Sequence, residues 1–194
     1  MKIVFVCTGN QCRSPVAEYI GRSIADDITT QTGTHNSRLH RSLPPTLEFS
    51  SVGAHANHGA PMEPRAAQFL ANEGINPAGF TSTPLDKKAI AGADILVGME
   101  TEHVDQALQI APPLLKKAAT LRQLSAWAKI DDVHFPHDIE YLRASQVCDE
   151  ALRTYGPDIP DPVTLNDDDF LRIACEVLDN VKGLVKGILQ ASEV

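Results

Sequence analysis

The chain has 194 residues, with 17 Lys+Arg against 25 Asp+Glu and a formal net charge of -8. That length buries one good core and is short for two, which predicts a single α/β domain over 1–194, while the negative charge repels nucleic acid and anionic membranes. Four cysteines without a repeating spacing fit reduced thiols in the cytosol better than a disulfide framework, and the apolar run at the start is too short for a secretory leader or a span, so the expected place is the cytoplasm. In chain order, Lys2-Ile-Val-Phe-Val-Cys7 is a β-branched and aromatic run ended by Thr-Gly-Asn, the pattern of a buried central strand in a parallel sheet. Ser14-Pro15 supplies an N-cap and a first-turn proline, and Val16, Ile20 and Ile24 follow at helical spacing. Asp26 to Thr46 is polar without periodicity and reads as an exposed insertion. Leu47 to Val52 is a strand closed by Gly53, and Glu63-Pro64 opens a helix that Gly74 stops. Ala93 to Met99 is a further buried strand, with a helix over Glu102 to Ile110 and a short strand over Ala119 to Leu121. The stretch Asp131 to Gly156 is charged and aromatic, with a helix expected through Glu140 to Leu152. Phe170, Ile173, Val177, Val181, Leu184 and Ile188 mark a docked C-terminal helix behind Asn166 to Asp169. The alternation implies a three-layer, doubly wound α/β sandwich around a parallel sheet.

The chemistry concentrates in Cys7-Thr-Gly-Asn-Gln-Cys-Arg13-Ser14-Pro15. A thiol ends the first strand and an arginine opens the first helix, so the loop between them must curl. Its inward N–H groups and the helix N-terminus form a cradle for a tetrahedral dianion. The same surroundings favour a thiolate and make Cys7 a candidate nucleophile. Arg13 can hold two phosphate oxygens through its planar fork, which lysine does less well. Gly9 lets the backbone take strained angles beside the ligand. Asn10 can bond loop carbonyls, and the Ser14 hydroxyl can donate to the Cys7 sulfur. A Cys and an Arg six apart occur by accident in about one such protein in five. Adding Gly, Asn and Ser-Pro at their positions, between a strand and a helix, lowers chance to roughly one in 10⁵.

On those residues, and on Val16-Ala17-Glu18 after them, the chain resembles the low-molecular-weight protein tyrosine phosphatase family. Ser51-Val-Gly53, Pro64-Arg65-Ala66, Ala93-Asp94 with Met99-Glu100, and Asp161-Pro162 come in the family's order. Val6 stands before Cys7, near the start, where other phosphatases with a C-x5-R loop carry His late in the chain. The resemblance implies a four-stranded parallel sheet in the flavodoxin-like order 2-1-3-4, with the insertion between the first helix and the second strand. It implies hydrolysis of protein phosphotyrosine, or of a related phosphorylated residue, through a phosphocysteine, with no cofactor or metal. Cys7, Arg13 and Asp161 would be catalytic, Asp161 as general acid, with Thr8, Gly9, Asn10, Gln11, Cys12 and Ser14 as the phosphate-binding loop. Asp158, which also follows a proline, competes with Asp161. The implied partners are phosphorylated proteins, met by a monomer.

Where tyrosine-directed members wall the pocket with aromatics, this chain has Ala56-Asn57 and Val163-Thr164, so Asn57 and Val163 are the substrate-pocket candidates. Ring stacking worth about 0.5–1.5 kcal/mol is missing there. Gln11 replaces an aliphatic residue, and protein-arginine phosphatases of the same fold carry a small polar one. Protein-arginine phosphatase is therefore an alternative. Thiol-dependent arsenate reduction on the same fold is another, and a non-catalytic phosphate-binding module a third. Arsenate reductases relay oxidation through two closely spaced cysteines, whereas Cys148 and Cys175 lie far apart in expected helices, where they read as packing residues. Cys12 reads equally as a redox partner that protects Cys7 and as a small residue packed under the loop. His55-x-x-His58 and His134-x-x-His137 lack the Glu of a zinc-hydrolase helix and read as solvated loops.

Overall fold

Strand β1 (Lys2–Cys7) alternates its side chains between two cores, which is why it can be apolar throughout. Ile3, Phe5 and Cys7 face one cluster, and Val4 and Val6 the other. The computed structural model describes residues 1–34 and 46–190. After β1 come α1 (Arg13–Thr34), β2 (Glu48–Gly53), α2 (Pro64–Asn72), β3 (Ile95–Gly98) and α3 (Thr101–Ile110). A 3-10 turn at Pro112–Lys117 leads into β4 (Ala118–Thr120), α4 (Leu121–Trp127), α5 (Ile139–Ala144), α6 (Glu150–Tyr155) and α7 (Asp167–Gln190). The strands pair in parallel in the order β2-β1-β3-β4, so β1 is internal and the 2-1-3-4 order holds. Helices α1, α2, α4 and α7 cover the Phe5 face and α3 the Val4 face, which makes three layers. In such a sheet the crevice for a ligand opens beyond the strand C-termini, where Cys7 stands.

Helix α7 buries Phe170, Ile173, Val177, Val181, Leu184, Val185 and Ile188. At about 1.5–3 kcal/mol for each large apolar side chain buried, it is a main support of the α1 side of the sheet. Helix α1 comes close to β2 at Gly21, where an added Cβ would stand 2.6–2.8 Å from the Phe49 ring.

Three expectations need correction. The segment read as an insertion from Asp26 to Thr46 begins as helix, because α1 runs on to Thr34. There the hydroxyls of Thr29 and Thr30 donate to the carbonyls of Ala25 and Asp26 at 2.9 and 2.8 Å, and after Ile28 no apolar residue extends the helical spacing to Thr34. Residues 35–45 of that insertion lie outside the described residues. Second, the strand expected over Ala119 to Leu121 is Ala118–Thr120, and Leu121 already begins α4. That helix is opened by a capping box in which Thr120 Oγ1 accepts from Gln123 N at 3.3 Å and Gln123 Oε1 accepts from Thr120 N at 3.0 Å. Third, the helix expected through 140–152 is two, α5 and α6. Gln146 takes a positive φ of 52°, and Val147 O accepts from the Trp127 indole at 3.0 Å. Asp149 then caps α6 by accepting from Leu152 N at 2.8 Å. Cys148 therefore sits in the break and Cys175 is exposed on α7, so neither is a helix-packing residue.

Candidate active site

The loop between β1 and α1 is shaped by what its carbonyls bond. Cys7 O accepts from Ala54 N at 2.9 Å, Thr8 O from His55 N at 2.8 Å, and Gln11 O from Glu63 N at 2.8 Å. With carbonyls drawn outward to the segments after β2 and before α2, the N–H groups turn inward. Among the described residues, the backbone N–H groups of Thr8 to Ser14 meet no acceptor. An unpaired row of this kind at a helix N-terminus is an anion cradle.

Asn10 holds the curl. It stands at φ 50° in the left-handed region, fully buried. Its amide donates to Ser14 Oγ at 3.0 Å and Ser51 Oγ at 2.8 Å, and its Oδ1 accepts from Thr83 N at 2.7 Å. The Ser51 hydroxyl in turn donates to the buried Glu18 carboxylate. Burial raises the Glu18 pKa despite its bonds to Ser51 and its pairing with Arg22. Ser14 Oγ lies 2.9 Å from Cys7 Sγ, so the anchored loop presents a hydroxyl to the thiol. Cys12 is buried beside it, and burial, then the nearness of Cys7, push its thiol pKa up strongly. Cys12 is a neutral thiol at ordinary pH. Gln11 donates to Pro61 O at 2.9 Å, which fixes its side chain at the rim.

Arg13 is buried to 2 % exposure, yet both terminal nitrogens of its guanidinium have two partners each. Nη1 donates to Glu100 Oε1 and to Ile159 O at 2.7 Å, and Nη2 donates to Thr8 Oγ1 at 3.1 Å and Asp161 Oδ2 at 2.8 Å. Burial opposes its charge, but Cys7, Glu100 and Asp161 outweigh burial and raise its pKa. Glu100 thereby aims the fork, and Asp161 stands beside the cradle with a half-exposed carboxylate.

Asp161 and Asp158 separate cleanly. Asp158 Oδ1 accepts from the N–H and hydroxyl of Thr101 at 2.7 Å each and so serves the start of α3. Two arginines fasten the strand of chain that carries Asp161. Arg122 donates to Asp158 O, Tyr155 O and Gly156 O before it. Arg65 donates to Val163 O and Leu165 O at 2.9 Å each after it, and lies 4.3 Å over the Phe170 ring.

Of the pocket candidates, Asn57 is exposed on the segment that bonds Thr8, and Val163 N donates to Asp161 Oδ1 at 3.2 Å. Among the described residues no group of three or more His, Cys, Asp or Glu is placed to hold a metal ion. His55, His58 and His137 are exposed, while His134 meets Asp138. Sequence reasoning assigned no part to Glu100, His103, Thr83 or Arg122. The one local signal among them was the i, i+3 pair Glu100 and His103 at a helix start.

Such an arrangement can bind a dianion, attack it with sulfur and exchange a proton with it. A model of the family "Low molecular weight phosphotyrosine protein phosphatase" matches residues 2–151, which includes the loop and stops short of Asp161. The low molecular weight protein-tyrosine-phosphatase Etp of Escherichia coli K12 is 30% identical over 130 residues, 67% of this chain and 75% of that one. A protein-arginine-phosphatase of Geobacillus stearothermophilus is 30% identical over 146 residues, 75% of this chain and 86% of that one. Among solved structures, a low molecular weight protein tyrosine phosphatase from T. tengcongensis superposes with a TM-score of 0.68 at 21% identity, covering 96% of this chain and 98% of that one. The YwlE arginine phosphatase of G. stearothermophilus does so with a TM-score of 0.66 at 24% identity, covering 95% and 90%. These two share the fold. With the family model spanning the loop, all four strands of the sheet and the helices between, the chain belongs to the low molecular weight phosphotyrosine protein phosphatase family.

Proposed function

We propose that the protein acts as one phosphatase domain that removes phosphate from phosphotyrosine, or a related phosphorylated residue of proteins, through a phosphocysteine at Cys7. The observation that carries this reading is the ring of unpaired N–H groups from Thr8 to Ser14 closed by Arg13, with Cys7 Sγ at its base and Asp161 at its rim. An incoming phosphate dianion takes the place of Asp161 on Arg13 Nη2. Cys7 sulfur, as thiolate, attacks phosphorus in line; the S–P bond forms as the P–O bond to the leaving group breaks, and protonated Asp161 gives its proton to that oxygen. Asp161, now ionised, takes a proton from water, which attacks phosphorus and breaks the S–P bond to release phosphate. The loop N–H groups and Arg13 meet the equatorial oxygens in both steps, where charge develops.

The rim favours a second reading of the phosphorylated residue. Tyrosine rings stack on aromatic walls, and here the walls are Ala56-Asn57 and the half-exposed Val163, with the amide of Gln11 fixed at the edge. A phosphoarginine side chain, flexible and rich in donors, suits a polar rim of this kind, and a relative as similar as Etp is named a protein-arginine-phosphatase. A thiol chemistry of this type needs a reducing compartment, which supports the cytoplasm.

The test is hydrolysis of p-nitrophenyl phosphate by the wild type, Cys7→Ser and Asp161→Ala, then a ranking of phosphotyrosine and phosphoarginine peptides. Cys7→Ser should abolish turnover and Asp161→Ala should lower kcat by about 10²–10⁴. Absence of wild-type turnover under reducing conditions, with thiol-dependent arsenite formation in its place, would overturn the reading.

A further inference from the structure

Thr8 Oγ1 is the meeting point of two nitrogens. Arg13 Nη2 donates to it at 3.1 Å, and His103 Nε2 lies 3.0 Å away. The other ring nitrogen decides what His103 does there. Nδ1 lies 3.1 Å from the backbone N of Glu100, and a backbone N–H only donates, so Nδ1 must accept. The proton of the neutral ring is then on Nε2 and points at Thr8. His103 is 4 % exposed, and burial, followed by the neighbouring Arg13 guanidinium, lowers its pKa, which keeps the ring neutral.

The consequence falls on the threonine. Both lone pairs of its oxygen face donors, so its own hydrogen has to be given away. Among the described residues Thr8 Oγ1 has no contact with an acceptor. The oxygen shares Arg13 Nη2 with Asp161 Oδ2, which puts that hydrogen beside the space where a phosphoryl group would meet Arg13. Without the imidazole, the hydroxyl could instead turn its hydrogen elsewhere and accept from Arg13 alone.

We propose that His103 is a positioning residue: by donating to Thr8 Oγ1 it makes the Thr8 hydroxyl a fixed donor to the phosphoryl oxygens between Arg13 and Asp161. This deepens the phosphatase reading above and rests on it. Preorganised donors aimed at developing oxygen charge carry large parts of a barrier, whereas a rotor that must first be oriented carries less. His103 has a structural duty as well, since its Nδ1 receives the Glu100 N–H at the start of α3, and the two duties can be separated by substitution.

His103→Asn keeps an acceptor near the place of Nδ1 and removes the donor to Thr8. His103→Gln reaches the place of Nε2 with an amide N–H and removes the acceptor. On p-nitrophenyl phosphate, His103→Asn should lower kcat about tenfold with KM little changed, and His103→Gln should recover most of that loss. Thr8→Val, which leaves α3 untouched, should lose as much as His103→Asn, and the double variant should lose no more than Thr8→Val alone. Affinity for inorganic phosphate, read by calorimetry, should weaken in the same order and needs no turnover. If the wild type fails to turn over, the phosphatase reading falls while the phosphate series still judges His103. Wild-type kcat and phosphate affinity in His103→Asn, equal losses in the Asn and Gln variants, or multiplicative losses in the double variant would each overturn the proposal.

Discussion

Gly53 closes β2 against the curled loop, and its replacement by alanine tests whether the loop works by position. A Cβ there would stand 2.7 Å from Asn10 N and 2.8 Å from both Asn10 Cβ and Ala56 Cβ. Gly53 does not need a positive φ, so the whole cost is contact. The gap is about 0.7 Å short of ordinary van der Waals separation, and the nearest atom is backbone that cannot rotate away. Asn10 must therefore shift, and its bonds to Ser14, Ser51 and Thr83 carry the shift to the hydroxyl that faces Cys7. Overpacking of this kind costs about 1–3 kcal/mol of stability. Misplacing a reacting group by a substantial part of an ångström costs roughly 10–100-fold in rate. Gly21→Ala is the control, since its Cβ would be 2.6 Å from the Phe49 ring, an equally tight contact that does not involve the loop. Urea unfolding and p-nitrophenyl phosphate kinetics should show both variants destabilised and only Gly53→Ala slowed at saturating substrate. A Gly53→Ala protein with wild-type kcat would refute the reasoning, as would equal slowing in Gly21→Ala.

Arg65→Ala removes the donor to Val163 O and Leu165 O and frees the chain after Asp161, so kcat should fall about tenfold while the loop keeps its affinity for phosphate; unchanged kcat would show that Arg122 alone holds the segment. The pKa of His103 is lowered from its ordinary 6.5 by burial and then by Arg13. Below that pH the unfolded chain takes up a proton that the folded one refuses, so stability falls as pH drops from about 6.5 through the lower folded value. Glu18 acts with the opposite sign, because burial raises its pKa from 4.5 and stability is lost as pH rises through the folded value. The difference between wild type and His103→Gln in urea unfolding at successive pH values isolates the histidine. It should shrink toward acid pH, and parallel curves would contradict the shift.

The legible part of the fold was the part with a local signature. The apolar run of β1, the Pro-opened α2 and the stripe on α7 each declare themselves within a few turns of sequence. The far half of α1 did not, because past Ile28 its sequence holds only polar residues and Gly33. Nor did the break between α5 and α6, which depends on Trp127 reaching Val147 across 20 residues. The capping box of α4 is written in Thr120 and Gln123, but so short a helix shows no periodicity to accompany it.

The site divides the same way. Cys7, the loop and Arg13 lie in one contiguous stretch whose spacing alone forces a curl between a strand and a helix, so the sequence by itself determined where the proposed anion cradle lies. Everything that aims those groups comes from afar. Arg13 takes its bearing from Glu100 and from Ile159, 87 and 146 residues away, and Thr8 meets His103 across 95. Asp158 and Asp161 are alike as words in a sequence. They part only when α3 claims one carboxylate and Arg13 the other. Tertiary structure decided these matters because a hydrogen bond is a condition on distance and direction, and parallel strands bring into register residues that no local pattern connects.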